Sequence, residues 1–309
     1  MMPTPPLPST AAQASSNSAE RLDAPCTFAI VGVGLIGGSF AAAMRARGYA
    51  DRILGVGRAP GALDRALDLG LIDAAVSAAE AARVADYILL ATPVGATQQV
   101  LADMAPHLRD ETCLTDAGST KSDVILAARQ ALGARMRQFV PAHPIAGAEK
   151  SGPDAASPTL FEGRRIILTP VPENTPETVA RVRRVWASTG GKVQDMAPES
   201  HDTVFASVSH LPHLLSAVYM SQVADSANAA TRLAQAGTGF RDFTRIAAGS
   251  PEMWRDIFVA NAASIRSELT QVRALLDQMD TALAQGDAQA MEQLLSHAAQ
   301  ARQAWEKDH

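Results

Sequence analysis

One histidine of this 309-residue chain stands where acid–base chemistry could occur: His143, within FVPAHPIAGAEKSG at 139–152. Pro144 follows it, lacks a backbone N–H and disfavours helical geometry at His143, so we expect an apolar strand to stop at His143. An imidazole changes charge near neutral pH and can take a proton from a substrate hydroxyl. His143 is therefore either a proton-transfer group or only a polar residue at a strand edge.

A serine after the neighbouring predicted strand is the second candidate for this site. The strand ETCLTDAG leads into DAGSTK, residues 116–121, which contains Ser119. Parallel strands of an α/β sheet end at one edge, where such sheets bind ligands, so Ser119 and His143 are expected at the same edge. The hydroxyl of Ser119 could orient the imidazole or contact the substrate hydroxyl, and it could also cap the helix that begins near Lys121.

A glycine pattern predicts what binds at that edge. IVGVGLIGGSF contains G-x-G-x-x-G as Gly32, Gly34 and Gly37, directly after a predicted strand and at the start of a helix. In that context the glycines permit a tight turn, close approach of a pyrophosphate and close packing of helix on strand. The amides of residues 34–37, including those of Leu35 and Ile36, would then face the phosphates. The sequence predicts a dinucleotide site.

The residues at the end of the second predicted strand indicate which dinucleotide binds. They read GVGRAP, with Arg58 where NAD-binding sheets usually carry a carboxylate. An arginine can pair with the 2′-phosphate of NADP, so NADP is predicted, although Arg58 could instead stack on adenine while NAD binds. Thr92 and Pro93 end the third predicted strand, ADYILLATP, and are further candidates for cofactor contact.

The C-terminal third carries polar residues at helical spacing. His210 and His213 lie three apart in SHLPH, and Arg241, Arg245 and Trp254 follow in GFRDFTRIAAGSPEMW. A guanidinium suits a carboxylate ligand, although exposed arginines also form ordinary surface ion pairs. No convincing third ligand accompanies the two histidines, so no metal site is predicted.

The order of predicted elements indicates an α/β fold followed by helices. Apolar strands alternate with helices from Thr27 onward, which predicts a Rossmann-type doubly wound parallel sheet with helices on both faces. Only helical periodicity follows Ala197. We predict a disordered tail over 1–24, a dinucleotide-binding domain over 25–196 and a helical dimerisation and substrate domain over 197–309.

A long helix near the C-terminus carries a narrow apolar seam. It is predicted to begin near Pro251 and to end at Gly286, before a second helix over 287–305. A seam of this type belongs either to an internal helical hairpin or to a dimer interface, and its length favours a dimer. The seam residues recur at steps of four and three: Ile265, Leu269, Val272, Leu276, Met279 and Leu283, then Met291, Leu294, Ala298, Ala301 and Trp305.

The composition excludes several classes of protein. A formal net charge of −5 provides no general attraction to nucleic acid or anionic membranes. The two cysteines, Cys26 and Cys113, make no disulfide framework and indicate a reducing compartment. Neither a secretory signal nor a run of about 18 apolar residues is evident, so we expect a cytoplasmic protein without a membrane span.

Five motifs, in this order and spacing, resemble those of the prephenate and arogenate dehydrogenases of tyrosine biosynthesis. They are GVGLIGGS, DAGSTK, HPIAGAEKSG, SHLPH and GFRDFTRIAAGSPEMW. The resemblance implies a nucleotide-binding domain, a helical dimerisation domain and oxidative decarboxylation of prephenate to 4-hydroxyphenylpyruvate. GVGR also resembles the cofactor stretch of the relatives that use NADP.

The resemblance implies roles for individual residues. His143 matches the histidine that accepts the proton of the ring hydroxyl, and Ser119 matches the serine that hydrogen-bonds to that hydroxyl and to the histidine. Arg245 matches the arginine that holds a substrate carboxylate, and Glu149 an acidic residue near the pocket mouth. Other matched residues line the substrate pocket: His210, His213 and Trp254. Members that prefer arogenate can have an apolar residue at the position of His213. Prephenate is therefore the expected substrate, and arogenate stays an alternative.

Two rival functions are also compatible with parts of the sequence. A two-domain dehydrogenase of the hydroxyacid type would need a catalytic lysine, for which Lys121 and Lys150 are candidates, but it would not explain HPIAG or SHLPH. A regulator that senses NADP without turnover would not depend on His143. Inhibition by tyrosine, a product-like molecule, is a further hypothesis.

Overall fold

The computed structural model describes residues 22, 25–58, 60–147 and 150–307. Of the predicted tail only Leu22 is described among residues 1–24: it is buried, and its backbone N–H donates to Ser188 Oγ at 3.1 Å. The rest of that prediction lies outside the described residues. The chain divides into two compact units, one comprising the described residues up to Ser119 and Val124–Met196, the other Thr120–Asp123 and those from Ala197 onward.

The first unit contains a six-stranded parallel sheet of order β3-β2-β1-β4-β5-β6, as the Rossmann-type prediction required. The chain order reverses direction between β1 and β4, so a ligand crevice is expected there. The strands are β1 (Cys26–Val31), β2 (Ala50–Val56), β3 (Ala74–Ala75), β4 (Tyr87–Leu90), β5 (Cys113–Asp116) and β6 (Phe139–Val140).

Helices cover this sheet, and an aromatic cluster joins them to it. Phe28 of β1, Phe40 of α1 and Trp186 of α6 pack edge to face, and the indole N–H of Trp186 donates to Thr115 Oγ1 at 3.1 Å. The tryptophan is thus fully buried with its one polar group satisfied. The helices are α1 (Leu35–Ala46), α2 (Pro60–Asp68), α3 (Ala78–Val84), α4 (Thr97–Met104), α5 (Ser122–Leu132) and α6 (Pro176–Ala187).

The strand that carries His143 differs from its prediction. RMRQFVPAH is not one strand: a 3-10 helix spans Gly133–Gln138, β6 follows, and Pro141 separates β6 from β7 (Ala142–Pro144). The prediction that the strand stops at His143 was wrong, because β7 continues through Pro144. A proline is tolerated there because β7 is an edge strand, so a missing N–H need not interrupt a ladder on both sides.

The last strands of the first unit form a separate sheet of order β7-β8-β9. β7 pairs antiparallel with β8 (Arg165–Leu168), and β8 pairs parallel with β9 (Lys192–Asp195). The apolar alternation that predicts one parallel sheet also predicts strands in GRRIILTP and KVQDM; both strands exist, but they belong to this second sheet. His143 pairs with Ile167 in that register.

Among its described residues, the second unit contains helices and connecting turns but no strand. Its first helix is nearly continuous: α7 is followed by a π-helical segment, Ala206–His210, and then by α8 with Pro212 in its first turn. The helices are α7 (Pro198–Phe205), α8 (Leu211–Ala224), α9 (Ala229–Ala234), α10 (Thr238–Thr244), α11 (Pro251–Ala260), α12 (Ala262–Gln285) and α13 (Ala288–Lys307).

The predicted long helix from Pro251 is interrupted at Asn261, so that α11 and α12 are separate helices. Gly286 ends α12 with a left-handed backbone, φ +66°, as a C-terminal glycine does. Several large apolar side chains of α12 and α13 are exposed in the single chain, among them Leu276, Leu283 and Leu295. Among the described residues, no helix is both long and apolar enough to cross a membrane.

Candidate functional site

The glycine loop between β1 and α1 is shaped by close backbone contacts. Gly32 has φ +91°, and a Cβ at that position would lie 2.6 Å from the carbonyl oxygen of Ala91. A Cβ on Gly37 would overlap the carbonyl oxygen of Gly32. Both positions therefore exclude side chains, which explains two of the three glycines by packing.

Gly34 is different, because a Cβ there would meet no atom within 4 Å. It is the N-cap of α1 and provides no side-chain cap, and the first intrahelical bond runs from the N–H of Gly38 to the carbonyl of Gly34 at 2.8 Å. The amides of Leu35, Ile36 and Gly37 precede that ladder and can donate to an anion. The open side of Gly34 is the space that a pyrophosphate needs.

Thr92 supplies a polar group beside this loop. Its methyl carbon lies 3.1 Å from where a Cβ of Gly32 would be, and its buried hydroxyl oxygen has no hydrogen-bond partner among the described residues. Pro93, the next residue, is exposed. A buried hydroxyl without a partner and an uncapped helix N-terminus both fit a bound dinucleotide. The residues present therefore suit NAD or NADP.

Arg58 lies at the same edge of the sheet. Val56, the last residue of β2, pairs with Val31 of β1, and its carbonyl accepts the N–H of Gly32 at 2.8 Å. Arg58 follows two residues later and is exposed, with no ion pair to any of the described residues. Positions 56–58 contain no carboxylate, and the one charged residue among them is the arginine.

His143 and Ser119 are linked through a third residue, Asp116. His143 is 9% exposed within β7, whereas Ser119 is half-buried in the loop after β5. The buried carboxylate of Asp116 accepts the N–H of Gly118 at 2.8 Å and that of Ala142 at 2.9 Å, the residues directly before the two candidates. Sequence reasoning gave Asp116 no role, although an acidic residue ending an apolar strand is a recognisable signal.

In the second unit, the predicted substrate residues assemble around Trp254. The imidazole of His213 stacks on the indole with ring centroids 3.7 Å apart, and that of His210 lies edge-on at 6.3 Å. A Cβ on Gly249 would lie 2.6 Å from the indole nitrogen, so this glycine lets the ring approach the backbone. Glu149 lies outside the described residues.

The hydrogen bonding of His213 defines which nitrogen carries the proton in the neutral ring. Its Nδ1 is 2.9 Å from the carbonyl oxygen of Ser209, which can only accept, so Nδ1 carries the proton. Burial lowers the pKa of His213; the hydrogen bond to the carbonyl of Ser209 opposes this, and the guanidinium of Arg245 adds to the lowering, so that the pKa is lowered on balance. The ring is therefore neutral near pH 7, and its Nε2 is a hydrogen-bond acceptor. Arg245 itself is exposed, at the start of the 3-10 helix Arg245–Ala248.

A buried carboxylate that sequence reasoning missed organises the same unit. Asp202 of α7 is 6% exposed, and it accepts the N–H groups of Lys121 and Ser122, each at 2.8 Å, and a bond from His201 Nδ1 at 2.9 Å. Burial opposes its ionisation, but the hydrogen bonds from His201, Ser122 and Lys121 outweigh burial and lower the pKa of Asp202 to about 2.

Asn261 extends this polar cluster to a predicted site residue. Its side-chain nitrogen donates to the carbonyl oxygen of Asp202 at 2.7 Å and lies 3.1 Å from His210 Nδ1. His210 is fully buried. The interruption between α11 and α12 thus places an amide side chain that holds α7 and His210 together. Within the described residues, no group of three or more side chains could hold a metal ion.

Comparison with known proteins identifies the family. The models described as "Prephenate dehydrogenase, nucleotide-binding domain" and "Prephenate dehydrogenase, dimerization domain" match residues 40–195 and 197–297, respectively. The chain belongs to the prephenate dehydrogenase family. Together the two matches span both compact units, and the chain is therefore an oxidoreductase with a nucleotide-binding domain.

Individual family members are similar over most of their length. The chain is 37% identical to prephenate dehydrogenase of Bacillus subtilis, covering 85% of this chain and 71% of that protein. It is 35% identical to cyclohexadienyl dehydrogenase of Zymomonas mobilis, covering 91% and 97%. A crystal structure of prephenate dehydrogenase from A. aeolicus, in complex with hydroxyphenyl propionate and NAD+, matches with a TM-score of 0.83 at 33% identity, covering 90% and 97%.

The structure groups the predicted site residues of this family member in two sets. The nucleotide-binding unit contains the glycine loop, Arg58, Thr92, Ser119 and His143. The helical unit contains His210, His213, Arg245 and Trp254.

Proposed function

We propose that this chain catalyses the NAD(P)-dependent oxidative decarboxylation of prephenate to 4-hydroxyphenylpyruvate. The observation that carries the proposal is the pair of family matches, which together cover residues 40–195 and 197–297. The open glycine loop supports use of a dinucleotide, and the cluster around Trp254 supports a substrate with a flat, largely apolar ring.

The reaction needs few groups. Hydride leaves the ring carbon that bears the hydroxyl while the hydroxyl proton is removed. The ring carboxylate then departs as carbon dioxide, its bonding electrons make the ring aromatic, and a proton returns to the ring oxygen. The nicotinamide nucleotide, when bound, supplies the hydride acceptor. His143 accepts the hydroxyl proton, and Ser119 hydrogen-bonds to that hydroxyl and orients the imidazole.

In this proposal the helical unit binds the side chain of the substrate. Arg245 provides a cation for the side-chain carboxylate, and the face of Trp254 provides an apolar wall. The neutral Nε2 of His213 accepts hydrogen bonds, which suits the ammonium group of arogenate as a donor. His213 therefore suits arogenate as well as the prephenate that a histidine at this position leads us to expect, which adds a second candidate, a dual-substrate enzyme of the cyclohexadienyl type.

The decisive experiment is reduced-nicotinamide formation by the purified chain, with prephenate and with arogenate. We expect turnover with prephenate and measurable turnover with arogenate. Tyrosine is included as an inhibitor, and we expect it to compete with prephenate because it resembles the product. Binding of the nucleotide without turnover of either ring substrate would contradict the proposed reaction and favour a sensor.

The cofactor proposal is NADP ahead of NAD, on the basis of Arg58. In an Arg58→Gln variant, loss of a charge-assisted bond to the 2′-phosphate should raise the KM for NADP by about 10-fold to 100-fold, with the KM for NAD almost unchanged. Initial rates over a range of each nucleotide measure this. Arg65→Gln is the control, because Arg65 is exposed on α2 and pairs with Asp154. An unchanged NADP to NAD preference in Arg58→Gln would refute the role of the arginine.

We also propose that the chain is a homodimer through its helical unit. Large apolar side chains of α8, α12 and α13 are exposed in the single chain, including Val218, Leu276, Leu283 and Leu295, each at least 60% exposed. Such a surface is typical of an interface, and the matching family model is described as a dimerization domain. Light scattering that gave the mass of one chain would contradict this.

A further inference from the structure

No step of the proposed reaction involves the buried carboxylate of Asp116. It ends β5, it is 2% exposed, and its two oxygens have different partners. Oδ2 accepts the N–H of Gly118 at 2.8 Å, which closes a tight Asx-type turn, and Oδ1 accepts the N–H of Ala142 at 2.9 Å.

The reason for the second bond lies in Pro141. β5 and β6 pair in parallel up to Thr115 and Val140, and the next residue of the β6 chain is a proline without an N–H. The chain then leaves the parallel sheet to form β7, so the backbone ladder cannot hold Ala142 against β5. The side chain of Asp116 takes the place of that ladder by accepting the N–H of Ala142.

Both bonded amides lie directly before a residue of the proposed mechanism. Gly118 precedes Ser119, and Ala142 precedes His143. One buried carboxylate therefore fixes the backbone beside the hydroxyl and the backbone beside the imidazole, on two elements whose parallel pairing runs up to Thr115 and Val140.

We propose that Asp116 is a positioning residue, which sets the placement of Ser119 relative to His143 by bridging the backbone before each of them. This inference rests on the proposed function, because it concerns the geometry of that proton transfer. Misplacement of reacting groups by about 1 Å is sufficient to slow an enzyme by about 100-fold. Asp116 contributes to turnover rather than to nucleotide binding, since the glycine loop lies on β1 and α1.

Asp116→Asn tests the role. An asparagine retains one acceptor oxygen, but its NH2 group would face a backbone N–H that needs an acceptor. We expect kcat with prephenate to fall by about 10-fold to 100-fold, whereas the Kd for NADP, measured by calorimetric titration, stays within about twofold. A buried carboxylate with only a structural role would change the melting temperature without this selective loss of kcat.

Asp86→Asn is the matched control. The half-buried carboxylate of Asp86 also accepts a backbone N–H, that of Thr27 at 2.9 Å, but it lies before β4, at the opposite edge of the same sheet. We expect Asp86→Asn to lower the melting temperature and to retain kcat. Equal losses of kcat in the two variants, or an unimpaired Asp116→Asn, would overturn the positioning role.

A second variant, Asp116→Glu, tests the proposal if Asp116→Asn does not fold. Asp116→Glu retains the charge and both acceptor oxygens but moves them by one methylene, and it should bind NADP normally with reduced kcat. Full kcat in Asp116→Glu would also overturn the proposal. If the wild-type chain itself does not turn over prephenate, the proposed function fails and the positioning role fails with it. Wild-type turnover with unimpaired variants removes the positioning role alone.

Discussion

Replacement of His143 by asparagine is expected to reduce kcat with prephenate by about 1000-fold, since positioned general acid–base groups typically contribute about 10²-fold to 10⁴-fold. Asparagine retains a polar side chain of similar size in β7, but it cannot accept a proton near neutral pH. The Kd for NADP should remain within about twofold of wild type, because the glycine loop and Arg58 are unchanged. Single-turnover absorbance of the reduced nucleotide measures the chemical step directly.

A control histidine separates this effect from general damage. His107 ends a 3-10 turn after α4 in the same unit and contacts Arg83 at the protein surface. We expect His107→Asn to retain wild-type kcat. Wild-type turnover in His143→Asn would exclude the imidazole as the proton acceptor. Another residue would then have to accept the proton.

The second large effect concerns stability and its dependence on pH. Asp202 is ionised in the folded state with a pKa of about 2, compared with 3.8 for an ordinary aspartate. Because the pKa is lower in the folded state, the ionised group stabilises the fold above about pH 4, by about 2 kcal/mol, and this contribution disappears as the pH falls towards 2. Protonation removes the charge that His201 and the amides of Lys121 and Ser122 surround.

Asp202→Asn should therefore lower the free energy of unfolding by about 2 kcal/mol or more at pH 7, because an amide cannot accept all of these bonds. The difference between wild type and variant should be nearly constant above about pH 4 and should narrow as the pH falls from about 4 towards 2. Urea unfolding followed by circular dichroism at several pH values measures it. The difference between the two proteins is the correct quantity, because other carboxyl groups titrate in the same range.

Asp154→Asn serves as the comparison for Asp202. Asp154 is an exposed carboxylate whose pKa is lowered by its hydrogen bond to Arg65. Exposed pairs of this kind contribute little to stability, so we expect a small effect with little pH dependence. A pH-independent difference between wild type and Asp202→Asn would show that Asp202 acts through its shape and not through its charge.

Local sequence signals predicted the sheet and the glycine loop well. The strand–glycine–helix order around Gly32, Gly34 and Gly37 specifies a local turn, and the apolar runs of β1, β4 and β5 specify buried parallel strands. These features depend on residues close in sequence, which is why they could be predicted from the chain alone. The short strand β3 and helix α3 were not predicted, because two strand residues give no periodicity.

Features that depend on distant residues could not be predicted. FVPAHP contains apolar residues on both sides of Pro141, and nothing local indicates that β6 and β7 enter different sheets until β8 is placed. Asn261 lies in a continuous helical pattern, yet its amide bonds to Asp202 and contacts His210, residues 59 and 51 positions away. The function of such polar groups becomes visible only when their partners are known.

The assignment of Thr120–Asp123 to the helical unit has a consequence for modularity. The chain passes from one unit to the other at Ser119, returns at Val124 and passes again after Met196, so three covalent connections join them. A fragment ending at Met196 would lose Asp202 and leave the amides of Lys121 and Ser122 without their carboxylate. The two units therefore could not be exchanged between proteins, in evolution or by engineering, at a single point of the sequence.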